Sequence, residues 1–228
     1  IMNKFLLFST ALALTTSVMS QKTAPNLPIT WDDTTNVDYT TLDFGGDSSL
    51  LAADPTNPNN LVLKSVNTAG SQVWGGSVLG NDSLENPIPF SNGNTVMRAV
   101  VYSPAAGVPI RLKVEDETNA SISVETEATT SVANAWDTLT FDFANNVAGT
   151  PAINFSNTYD KIAVLFDFGT SPTATETYYL DLVEFVGGGG GGSSKLPVSL
   201  PVTFDDSATV GYGLIDFGGN VSVLAADP

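Results

Sequence analysis

The feature that most constrains the fold of this chain is a repeat. Leu27 to Pro55 (LPITWDDTTNVDYTTLDFGGDSSLLAADP) returns without a gap as Leu200 to Pro228 (LPVTFDDSATVGYGLIDFGGNVSVLAADP), at an offset of 173 residues. Solenoid repeats recur every ~20–50 residues, so this long period is that of whole domains, each of which has to close its own core. The repeat divides the chain into one complete module, residues 27–186, and the truncated N-terminal part of a second, residues 200–228. Residues 187–199 between them open on a glycine and serine run with no side chains to bury, which reads as a flexible linker.

Within the complete module, apolar and polar residues alternate with period two and turn residues break the runs, which predicts strand after strand and no helix. The expected strands are Leu61 to Val66, Thr95 to Tyr102, Val108 to Glu115, Ile122 to Glu127, Trp136 to Phe143, Lys161 to Phe168 and Thr177 to Phe185. Pro104, Gly107 and Asn119 stand where hairpins are expected to turn. Many short strands with polar turns predict an all-β fold, a two-sheet jelly-roll β-sandwich.

Composition excludes several functions. There is no cysteine and no histidine, which removes disulfides, thiol nucleophiles, ordinary zinc sites and the commonest acid–base side chain. Acids outnumber bases by 24 to 8, so nucleic acid and anionic membranes are poor partners. Lys4, the apolar stretch Phe5 to Leu14 and the small residues through Ser20 read as a signal peptide over residues 1–20, too short for a span. An extracellular or cell-surface location follows as an expectation, with no insertion into the membrane.

Alternation also assigns faces. Leu139, Phe141 and Phe143 point into the core and Trp136, Thr138, Thr140 and Asp142 point out; Leu112 and Val114 point in and Arg111, Lys113, Glu115, Glu125 and Glu127 point out. Arg98 and Tyr102 alternate with Met97, Ala99 and Val101, and Asp167 alternates with Phe166 and Phe168. These patterns predict one sheet with a charged and aromatic outer face. Sugars are bound by such a mixture, with rings stacking on pyranose faces and charged groups orienting hydroxyls. The candidate ligand-binding residues are therefore Trp74, Arg98, Tyr102, Arg111, Lys113, Glu115, Glu125, Glu127, Trp136 and Asp167; the same charges would also serve as a cross-strand ladder. Trp31, matched by Phe204 in the second copy, is expected in the core.

Glu125 and Glu127 raise the question of glycoside hydrolysis, which uses paired carboxyl groups. The surrounding VETEATT lacks the acidic spacing E-x-D-x-x-E, and Arg111 and Lys113 lie close by, so no catalytic residue is expected. Asp181 stands within an apolar strand, where an unpaired carboxylate is costly. Asp32 and Asp33 of the first strand, brought beside the last, would make with it and backbone carbonyls a structural calcium site, the alternative being a hydrogen-bonded or edge-exposed aspartate.

The segments WDD (31–33), ADPTNPNN (53–60), WGG (74–76), YSPAAGVPIRLKVED (102–116), VETEATTSVANAWDTLTFDF (124–143), NTYDKIAVLFDFG (157–169) and YYLDLVEF (178–185) carry a family likeness. Together they resemble carbohydrate-binding-module-like domains of galactose-binding-like jelly-roll type, found in secreted glycan-binding and glycan-degrading proteins of marine Bacteroidetes. The resemblance implies a non-catalytic module with a glycan site on the concave sheet or loops, and often calcium between the first and penultimate strands, here at Asp32 and Asp181. Related modules often carry a second acid where this chain has Leu182. The expected function is a secreted polysaccharide-binding module that acts by avidity with other modules of the same chain. Two alternatives remain open: an extracellular structural or adhesive repeat without a sugar ligand, and an accessory module of a glycoside hydrolase.

Overall fold

The computed structural model describes residues 21–188. The expected signal peptide, the linker beyond Gly188 and the second copy lie outside the described residues. Ten strands follow in order: β1 (Leu42–Phe44), β2 (Asp47–Ala53), β3 (Leu61–Asn67), β4 (Gly76–Val78), β5 (Asn94–Ser103), β6 (Pro109–Asp116), β7 (Asn119–Thr129), β8 (Ala135–Asp142), β9 (Lys161–Phe166) and β10 (Glu176–Gly188). They form two antiparallel five-stranded sheets, β1-β4-β9-β6-β7 and β2-β3-β10-β5-β8, that make a β-sandwich of jelly-roll type. The seven expected strands are all present; β1, β2 and β4 are additional.

The sheets meet through the inward members of each alternation. Ile110, Leu112 and Val114 of β6 and Ile162, Val164 and Phe166 of β9 face Met97, Ala99 and Val101 of β5, Leu139 and Phe141 of β8, and Leu180 and Val183 of β10, all buried in one cluster. Burying side chains of this size gains about 1.5–3 kcal/mol each, which makes this interface the main source of stability. The N-terminal segment closes one end. Ile29 exchanges both backbone hydrogen bonds with Val183, at 2.8 and 3.1 Å, so the first segment does lie beside the last strand. Trp31 is fully buried against Tyr39, with ring centroids 5.4 Å apart. Its indole N–H finds no partner, and the phenylalanine at the matching position of the second copy would need none.

Connections differ from expectation in two places. Pro104 and Gly107 do not turn a hairpin but carry the chain from β5 in one sheet to β6 in the other. Asn119 opens β7; the turn before it is made by Asp116, whose Oδ1 accepts from the Thr118 amide at 2.9 Å and hydroxyl at 2.6 Å. The corner between β1 and β2 is Gly45–Gly46, with φ of 69° and 94°. A Cβ on Gly45 would stand 2.6 Å from Gly75 Cα, so glycine is required by both conformation and space.

One acid is built into the interior. Asp47 is buried and accepts hydrogen bonds from Ser65 Oγ at 2.7 and 2.8 Å and from Ser77 Oγ at 2.9 Å. Burial pushes its carboxyl above the ordinary range, the serine hydrogen bonds offset this in part, and the charge of Asp43 adds to the rise. A carboxyl raised in the folded state contributes stability that is full below its unfolded value and is lost as pH rises through the folded one. The matching residue of the second copy is Asn220, a neutral isostere. Asp47→Asn is therefore expected to gain stability relative to the unsubstituted protein between pH 4 and pH 8, measured by thermal unfolding in parallel buffers. A relative loss that grows with pH would contradict the burial argument.

Candidate functional site

The candidate residues fall on two faces, not one. Arg111, Lys113, Glu115, Glu125 and Glu127 lie on β6 and β7, on the outer face of β1-β4-β9-β6-β7, whereas Arg98, Tyr102 and Trp136 lie on β5 and β8, on the outer face of the other sheet. The expectation of a single charged and aromatic sheet is corrected. The signal that separates them is β5-to-β6 connectivity between sheets, which alternation along single strands does not contain.

On the first face, the strand register sets Arg111 opposite Glu127 and Lys113 opposite Glu125. The Arg111 guanidinium donates to Glu125 Oε2 at 3.0 Å and to Glu127 Oε2 at 3.2 and 3.0 Å, and lies 3.4 Å from the ring centroid of Phe168. Lys113 Nζ pairs with Glu115 at 2.6 Å, and Lys161 Nζ with Asp82 at 2.5 Å. Arg111 is only 9% exposed, so its orientation is fixed by the ring below and the carboxylates beside it. Glu125 and Glu127 sit on one strand and share one guanidinium; they do not oppose each other across a cleft as a hydrolytic pair does.

The charged half of this face continues into an apolar half. Val78, Ala163 and Leu165 form a small cluster on the outside of the sheet, with Phe44 and Phe168 packed on it. Beyond Phe44 stands Trp74, its ring stacked on Phe44 at 6.2 Å and 16° and left 49% exposed. The loop that carries it is tied at several points. Gln72 N donates to Gly45 O at 2.7 Å, Gly169 N to Val73 O at 2.8 Å and Asn67 Nδ2 to Phe166 O at 3.1 Å. Trp74 is thus a half-exposed indole on a fixed loop, joined through Phe44 and the Leu165 cluster to Phe168 and Arg111.

Asp167 is not part of this face. β9 ends at Phe166, and Asp167 has a positive φ of 51°, which breaks the alternation and puts Phe168 outside, under Arg111, instead of in the core beside Phe166. Burial raises the Asp167 carboxyl, a Thr170 hydrogen bond lowers it, and nearby Glu176 adds to the rise. Arg98 is 7% exposed and ion-paired with Glu184, which stands beside it in register on β10.

Of the expected calcium ligands, Asp32 lies near enough to Asp181 for its charge to act on it, whereas Asp33 is engaged elsewhere. Asp33 is exposed, and its carboxylate is engaged by the side chain of Asn36 at 3.0 Å, which holds it below the ordinary value. The acid that joins Asp181 is Asp54: Asn60 Nδ2 lies 3.4 Å from Asp54 Oδ2 and 3.5 Å from Asp181 Oδ2. Burial raises Asp181, relieved by Asn60 and reinforced by the charges of Asp54 and Asp32. Among the described residues no group of three or more His, Cys, Asp or Glu side chains is placed to hold a metal ion.

No family model and no curated protein sequence matches the chain. Among solved structures, the fold is similar to a carbohydrate-binding module studied for promiscuous specificity within the β-sandwich superfamily. That similarity has 14% identity over 71% of this chain and 62% of that one, and a TM-score of 0.46. It is also similar to the family 11 carbohydrate-binding module of a cellulosomal cellulase of Clostridium thermocellum, with 13% identity over 72% of this chain and 96% of that one, and a TM-score of 0.47. A family 30 carbohydrate-binding module is similar over 85% of this chain and 96% of its own, with 11% identity and a TM-score of 0.45. The structural neighbours thus include carbohydrate-binding modules of β-sandwich type.

Arg111 holds two partly exposed glutamates and Lys113 one. Replacing Arg111 by alanine strands both carboxylates and uncovers Phe168, and is expected to cost about 1–3 kcal/mol, against under about 1 kcal/mol for Lys113→Ala. Chemical denaturation of the two variants measures the difference, and equal costs would show that Arg111 does not organise the face.

Proposed function

We propose that this chain is a secreted, non-catalytic carbohydrate-binding module that takes a polysaccharide on the outer face of β1-β4-β9-β6-β7. The observation that carries the reading is the half-exposed Trp74 on its fixed loop, continuous through Phe44 and Phe168 with the immobilised Arg111–Glu127 pair. A planar indole offers the apolar stacking surface that a pyranose ring requires, and charged groups already held in position orient hydroxyls without further loss of side-chain freedom. The shared guanidinium supports binding over hydrolysis. The tandem repeat supports avidity, since a second linked module raises the effective concentration at the polymer.

The alternative of a structural repeat draws on the same ion pairs, because a laddered face is stable without a ligand. Affinity electrophoresis separates the two. The full chain is run through gels containing barley mixed-linkage β-glucan, hydroxyethylcellulose, xylan or laminarin, beside Trp74→Ala. Retention on at least one polymer is expected for the unsubstituted protein. Trp74→Ala should lose most of it while unfolding within about 0.5 kcal/mol of the parent, as an exposed side chain should. No retention on any polymer would favour the structural repeat.

A further inference from the structure

The opposite sheet carries a second aromatic arrangement that the Trp74 face does not use. Leu50 of β2, Lys64 of β3, Tyr179 of β10, Tyr102 of β5 and Trp136 of β8 are direct register partners, one after another, across all five strands. Lys64, Tyr179 and Tyr102 floor a groove of about 450 Å³, with Pro55 on one side and Pro104, Ala105 and Asn134 on another. At a strand spacing of ~4.8 Å, the four residues from Lys64 to Trp136 span roughly 14 Å.

The rings are held. Tyr102 meets Trp136 edge-on at 5.6 Å and Tyr179 at 5.8 Å. Trp136 Nε1 donates to Asp54 Oδ1 at 3.2 Å and to Thr56 Oγ1 at 3.0 Å. Asp54 follows β2 at one edge of the sheet and Trp136 opens β8 at the other, so the segment between β2 and β3 folds across the outer face and becomes a wall. Burial alone would raise Asp54, but the hydrogen bonds from Thr56, Asn60 and Trp136 hold it below the ordinary value and keep it an acceptor for that anchor.

The chemistry of the groove differs from that of the other face. Arg98, Arg111, Lys113 and Lys161 are ion-paired, whereas Lys64 has no ion pair among the described residues. Its ammonium therefore has donors to offer in a groove lined also by Tyr102, Tyr179, Thr175, Thr177 and Asn134, while the Glu176 carboxylate accepts from the Tyr178 hydroxyl at 2.6 Å. A single cation beside two tyrosines and several hydroxyl or amide groups suits a neutral polyhydroxylated chain better than a strongly charged partner.

We propose that the module is bivalent, with a second glycan groove floored by Tyr102, Tyr179 and Lys64 on the outer face of β2-β3-β10-β5-β8. This rests on the glycan-binding reading of the Trp74 face. The two faces are the outer sides of two sheets packed ~10 Å apart through a sealed core, so one glycan chain does not lie on both directly across the sandwich. Each module thereby bridges two polysaccharide chains.

A bridging assay tests this. The full chain is loaded on a surface bearing each of the four polysaccharides above, and fluorescently labelled soluble polymer of the same kind is passed over it. The unsubstituted protein should bind the surface and capture labelled polymer. Tyr102→Ala with Tyr179→Ala should still bind the surface through the Trp74 face, yet capture should fall about tenfold or more. Tyr102→Phe, which keeps the ring, should restore the fold check and the capture alike. Undiminished capture by the double alanine variant, or surface binding without capture by the unsubstituted protein, would overturn bivalency and leave the Trp74 reading standing. Absence of any surface binding would overturn both.

Discussion

The structure depends on one constraint: in a two-sheet sandwich every strand has an inner side that must be apolar and an outer side that need not be. Met97, Val101, Leu112, Val114, Phe141 and Val164 seal the interior, and apart from Asp47 with Ser65 and Ser77 the charged side chains named above are driven outward. Because the sheets are back to back, outward means two opposite directions. Whether a charged or aromatic residue serves one face or the other is then decided by which sheet its strand joins. Ile29 pairing with Val183 and the buried Trp31 close the end of this interior.

Much of this was legible in the sequence. Period-two runs located seven of the ten strands, and inward and outward residues on β5, β6, β7 and β8 follow the alternation. β1 and β4 are three residues each, too short for a periodic signal, and β2 is an edge strand in which Leu50 points out at 53% exposure and Asp47 points in. What alternation cannot give is strand order. Arg111 and Tyr102 look alike from their own strands, and only the crossing between β5 and β6 parts them. Asp167 was misplaced for a local reason: the left-handed backbone there stops the strand, which phase counting cannot detect.

The acids show how context overrides composition. Asp33, Asp54, Asp116 and Asp142 are occupied in turns and anchors, accepting from nearby amides and hydroxyls. Glu125 and Glu127 share a single guanidinium. Two aromatic arrangements remain on the outer faces. Trp74 beside Phe44 and the Tyr102–Tyr179 pair are the aromatic surfaces that the proposed reading offers to a sugar ring.

The central claim, that glycan meets the outer faces of the sheets, has reporters already in the chain, because it holds three tryptophans. Trp74 stands on one outer face, Trp136 beside the groove of the other, and Trp31 in the core. The direct measurement is a titration of the three indole N–H signals in a ¹⁵N-labelled protein with oligosaccharides cut from the retained polymer. The account predicts that the Trp74 signal moves and saturates with ligand while the Trp31 signal stays in place. A titration that leaves Trp74 unmoved while binding is observed would contradict it.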